Sequence, residues 1–71
     1  MDMTPEQFKA WRQHLGLNQK QAAAKLGVSG QTVWLYEKGE REEGRPVEIP
    51  KPVRLACAAI ALGLDDYHGP E

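Results

Sequence analysis

Gln31, Leu35 and Lys38 fall at spacings that a helix would gather on one side, with Thr32 and Trp34 on its flanks. The other side of the same helix would carry Val33, Tyr36 and Glu37, of which the first two are apolar and point to a core. The outward set has a recognisable chemistry. A glutamine can bond a base edge through both amide atoms, an apolar side chain such as Leu35 can pack on a thymine methyl, and threonine can serve base or phosphate. Lys38 stands at the far end, where a phosphate backbone would cross. Trp34 could wedge against sugar and phosphate or fold back onto the first helix. So short a helix has no structural need for an outward Leu35 and Trp34, so their exposure implies a partner. That partner is DNA or, failing that, a protein patch.

These residues need a scaffold, and the sequence supplies stops and starts for one. Thr4-Pro5-Glu6-Gln7 reads as a capping box with proline at the first helical position, so a first helix is expected over 4–15, ending before Gly16. Asn18 caps a second helix, 18–26 with its cap, whose buried stripe is Ala22, Ala23 and Leu26. Gly27 closes it in the left-handed region. Val28 plugs the turn. Ser29 caps the third helix, 29–38, and Gly39 stops it. Residues 39–50, with two glycines, two prolines and mixed charge, read as a loop. Pro52 opens a fourth helix over 52–62, and one more turn is expected around Asp65 to His68. No β pattern is evident. The expected fold is all-α, a compact bundle of four to five short helices forming a single domain over 1–71.

Composition narrows the function. Cys57 is the only cysteine, so an intrachain disulfide or cysteine zinc cluster is out of reach, and its apolar run LACAAIAL favours a buried structural thiol. That run is too short to span a bilayer and no signal peptide is apparent, so the expected location is cytoplasmic, with no membrane partner. The net charge of −1 argues at first against nucleic acid. Its distribution softens the objection: Lys9, Arg12, Lys20, Lys25 and Lys38 outnumber the acids of residues 1–38, whereas Glu40, Glu42, Glu43 and Glu48 dominate residues 39–50. A modestly basic face can still bind phosphates, but weakly where the sequence is wrong. Catalysis has no foothold. His14 and His68 are far apart, Asp65-Asp66 reads as a solvated helix start, and no HExxH, GxSxG or phosphate-binding loop occurs. No metal, cofactor or small-molecule ligand is expected.

Taken as a spaced set, Leu17-Asn18-Gln19, Ala23, Leu26-Gly27-Val28-Ser29, Thr32-Val33 and Glu37-Lys38-Gly39 resemble the Cro/repressor-type, or XRE-like, helix-turn-helix domains. The resemblance is close over residues 6–39 and loose over 50–67. It implies that the third helix lies in the major groove of double-stranded DNA, with Gln31, Thr32 and Leu35 at the bases; Trp34, on the flank of the same face, is counted as a further expected base contact. Gln19 would contact a phosphate and brace that helix, and Arg12 would pair with Glu37 to tie the first helix to the third. The free N–H groups at the start of the second helix attract a phosphate, which adds Asn18 and Lys20. Ser29, Lys38, Arg41 and Arg45 complete the expected phosphate contacts. Three positions depart from the family pattern. Gly30 stands where a longer polar residue is usual, Ala22 is small so that Trp11 or Trp34 fills the space, and the loop after Gly39 is long and charged. That loop and the apolar helix behind it are similar to short phage-type autorepressors such as anti-CRISPR-associated regulators.

The fourth helix is apolar on two sides, Val53, Ala56, Cys57 and Ile60 on one and Leu55, Ala58, Ala59 and Leu62 on the other. A helix apolar all round is normally buried all round. A homodimer is therefore expected, with Val53, Ala56, Cys57, Ile60 and Leu64 at its interface, reading a palindromic operator as a transcriptional repressor. The competing expectation is an antitoxin-like or adaptor module that engages a protein through the Trp34/Leu35 face or the fourth helix.

Overall fold

The structure, a computed structural model, describes residues 2–70. It has four helices and, among the described residues, no strand: α1 (Pro5–His14), α2 (Gln19–Leu26), α3 (Gly30–Lys38) and α4 (Lys51–Ala61). The fold is all-α. α2 and α3 end where expected, α1 ends one residue early at its cap Leu15, and the first three helices start one residue later than their expected bounds because Thr4, Asn18 and Ser29 are extended caps and not helical residues. α4 is displaced by one residue, starting at Lys51 and capped by Leu62. The expected turn at Asp65–His68 does not form; residues 64–70 have no regular structure.

The caps explain why such short segments hold helical geometry. Thr4 Oγ1 accepts from the Gln7 N–H at 3.0 Å while Gln7 Oε1 accepts from the Thr4 N–H at 2.8 Å. Asn18 and Gln21 repeat the device at α2, at 2.7 and 2.9 Å. Two boxes satisfy donors that a helix start otherwise leaves unpaired. Gly27 turns the chain from α2 to α3 at φ 73°.

The core is Phe8, Ala23, Val33, Tyr36, Ile49 and Cys57, with Trp11, Leu26, Val28, Val47 and Val53 packed against it. α3 is the centre of the packing, seated on both α1 and α2, while α4 rests on α2. Phe8 meets the edge of Tyr36 at 5.5 Å between ring centroids. Trp11, not Trp34, turns inward, and its indole N–H donates to the Cys57 carbonyl at 2.9 Å, fastening α1 to α4. Burial pushes the Cys57 thiol up to about 11, so it stays protonated and inert at neutral pH.

Residues 39–50 are not a plain loop. Glu40 pairs antiparallel with Pro46, Arg41 N–H donates to Arg45 O at 2.8 Å, and Val47 N–H donates to Gly39 O at 3.0 Å. Gly44, at φ 76°, closes the turn by donating to Arg41 O at 2.9 Å. The segment is a small hairpin, anchored by the buried Ile49.

Gly39 joins α3 to that hairpin at φ 84°, and a methyl group there would come within 2.8 Å of Pro5 Cγ. Gly39→Ala therefore meets both a left-handed backbone and a clash. We expect it to cost about 2 kcal/mol and lower the melting temperature by roughly 10 °C, read by thermal circular dichroism.

Candidate nucleic-acid interface

The third helix is held by an ion pair. Arg12 on α1 donates through Nε to Glu37 Oε2 at 2.6 Å and through Nη2 to Glu37 Oε1 at 2.9 Å. Its Nη1 reaches the Leu17 carbonyl at 3.0 Å, at the entry to α2. Gln19 Nε2 approaches Glu37 Oε1 at 3.4 Å. One carboxylate thus links α1, α2 and α3. Burial alone would raise the Glu37 carboxyl, but hydrogen bonds from Arg12 and Gln19 and the cationic neighbours outweigh it and hold the group below its ordinary range. The hydrogen bond to Glu37 likewise keeps Arg12 firmly charged.

With α3 fixed, its outer face can be read residue by residue. Gln31 and Lys38 are exposed, and Trp34 is 43 % exposed, so the tryptophan lies outward. Lys38 Nζ sits 4.8 Å from the Trp34 ring centroid, a cation–π contact that steadies both side chains. Thr32 is half-buried, and its hydroxyl lies 2.9 Å from that of Ser29, which also caps α3 through the Thr32 N–H. Leu35 is not freely outward as the helical wheel suggests: it is half-buried, because the hairpin folds back beside it. Gly30 meets open space, with nothing within 4 Å of where a side chain would begin.

Around the helix, the start of α2 presents Gln19 and Lys20, whose N–H groups have no acceptor a turn back. The Asn18 side chain is committed to its cap. On the hairpin, Arg45 pairs with Glu43 at 3.0 Å, both largely exposed, whereas Arg41 has no carboxylate partner among the described residues. A cleft of about 270 Å³ separates Gln31, Trp34 and Leu35 from Arg41, Glu42, Glu43 and Arg45. The sequence shows the charges of this wall, two arginines and two glutamates, but not that they face α3. The available signal was Glu43-Gly44, a glycine placed to close a tight turn and bring the arms together.

The expected dimer stripe needs correction. Cys57 is 1 % exposed, so it cannot meet a second chain without unfolding the first, and Val53 is half-buried against the core. Ala56 and Ile60 are half-buried. α4 is apolar on its inward side because that side completes the core. What remains open is Leu55, Leu62, Leu64 and Tyr67, 57–78 % exposed.

Two short capped helices joined at a left-handed glycine, the second presenting polar and aromatic side chains outward, define a domain of the DNA-binding helix-turn-helix class. The family model described as Helix-turn-helix matches residues 8–42. The match supports a helix-turn-helix domain of the Cro/repressor (XRE) type over that segment, a type of DNA-binding regulatory domain. No curated protein and no solved structure matched the chain. No helix among the described residues is long and apolar enough to cross a membrane.

Proposed function

We propose that the protein is a cytoplasmic transcriptional repressor that binds a palindromic operator as a homodimer, with α3 of each copy in the major groove. The observation that carries this reading is the outer face of α3, where Gln31, Trp34 and Lys38 project from a rigidly clamped helix without a task in the core. Gln31 is the principal base reader. Trp34 and the open edge of Leu35 meet apolar base edges, and the Ser29–Thr32 hydroxyl pair is offered to a base or phosphate. Gln19, Lys20, Lys38 and Arg41 take phosphates, joined by Arg45 when its bond to Glu43 opens. Occupancy of the operator blocks transcription.

A domain with a net charge of −1 has little non-specific affinity, so two copies are needed for useful binding. The exposed apolar residues Leu55, Leu62, Leu64 and Tyr67 offer the surface that joins them. That surface also supports a second reading, in which an antitoxin-like protein uses it to hold a different partner.

The test is binding to duplex DNA by fluorescence anisotropy. Gln31→Ala removes only an exposed side chain, so folding is spared. It is expected to weaken specific binding about tenfold or more, within the ~1–3 kcal/mol of a bidentate base contact, while leaving non-specific binding unchanged. Equal binding by the variant and the original chain contradicts base reading by α3.

A further inference from the structure

The hairpin after α3 places carboxylates where a DNA-binding surface should avoid them. Glu42 and Glu43 line the same cleft as Gln31, Trp34 and Leu35. The backbone that carries them is held in place. The hairpin is closed by Arg41 N–H to Arg45 O and Gly44 N–H to Arg41 O, and Val47 N–H binds Gly39 O directly at the end of α3. Val47 is packed against the core that contains Tyr36. The hairpin therefore keeps a fixed place beside the outer face of α3.

The two carboxylates differ in their commitments. Glu43 is engaged by Arg45 at 3.0 Å. Glu42 has no cation within ion-pair distance among the described residues. An ionised carboxylate only accepts hydrogen bonds. Phosphates, guanine edges and thymine O4 offer it acceptors and repel it. In the major groove the available donors are the exocyclic amines of cytosine and adenine. The adenine amine lies beside the N7 acceptor, which opposes a carboxylate, whereas cytosine presents its N4 amine without an acceptor on its own edge.

We propose that the hairpin is a second reading element and that Glu42 selects cytosine by accepting a hydrogen bond from its N4 amine, at a position flanking the one read by Gln31. This rests on the reading of α3 as a major-groove helix. Selection here works largely by rejection: every other base leaves a carboxylate facing acceptors in a narrow, partly dehydrated space. Arg41 and Arg45, on the same hairpin, hold the tip against the backbone despite its negative charge.

The experiment is selection from a randomised duplex pool, run in parallel on the original chain, Glu42→Ala and Gln31→Ala. Glu42 is exposed in a turn, so its loss leaves the fold intact. The expected result for Glu42→Ala is that discrimination for cytosine at one position per half-site falls roughly ten- to hundred-fold, while the Gln31-dependent position is unchanged. A consensus that changes with Gln31→Ala but not with Glu42→Ala overturns this inference alone. A uniform rise in affinity for all duplexes on removing Glu42 also overturns it, because the carboxylate would then only repel. If the original chain enriches no sequence, the reading of α3 fails and this inference falls with it.

Discussion

Glu37→Ala is expected to destabilise the domain by about 3 kcal/mol, the lower end of the cost of stripping one partner from a shielded ion pair. The side chains of Arg12 and Glu37 are only 13 % and 8 % exposed, so water cannot readily replace the lost carboxylate. A domain of this size is stable by about 4–10 kcal/mol in total. The loss should lower the melting temperature by roughly 12–24 °C, read by thermal unfolding. Glu37→Gln should recover part of the stability by restoring one hydrogen bond to Arg12, but not the charge. Acid titration gives a separate check. Because the folded-state pKa of Glu37 is depressed, the pair stabilises the protein above the unfolded carboxyl pKa of about 4.3 and loses that contribution as pH falls through the lower folded value. The original chain should therefore lose stability on acidification below about pH 4 in a step that Glu37→Gln lacks. Equal melting temperatures for the original chain and Glu37→Ala contradict the clamp.

The second large effect is expected at the surface of α4. Leu55 and Leu62, 61 % and 78 % exposed, are seven residues apart and so lie on one helical face. The double variant Leu55→Lys, Leu62→Lys should leave the fold nearly unchanged, since exposed substitutions usually shift stability by no more than ~0.5 kcal/mol. Burying two lysines against a second copy is prohibitive, so the variant should sediment as a monomer. Joining two binding units typically multiplies affinity by about 10²–10⁴, and the monomer should lose at least about 100-fold on a two-half-site duplex. The sign makes the result unambiguous, because added positive charge would by itself favour DNA. Unchanged mass and affinity would leave the homodimer without its interface and favour a different protein partner for this surface.

Local signals made the frame legible in the sequence. Capping residues Thr4, Asn18 and Ser29 and the stop glycines Gly27 and Gly39 act through neighbours a few residues away, and their positions predict the helix ends to about one residue. The Arg12–Glu37 contact was suggested by family likeness and by an acid stranded on an apolar helix face. What could not be read depended on distant chain. Periodicity says that α4 has two apolar sides but not which one meets the core, and Cys57 proved to be buried with Val53 packed beside it, half-buried. A helical wheel turns Leu35 outward, but it cannot register a hairpin folding back from residues 40–46 to cover it. The two tryptophans differ for the same reason: only tertiary packing brings the indole N–H of Trp11 to the Cys57 carbonyl.

The central claim, that α3 reads DNA sequence as one half of a two-fold pair, is tested most directly by determining the duplex consensus selected by the original chain. The account predicts an inverted repeat whose half-sites are separated by about one helical turn or a multiple of it, with at least one base position per half-site lost in Gln31→Ala. Enrichment of no sequence, or a consensus indifferent to Gln31, would contradict it.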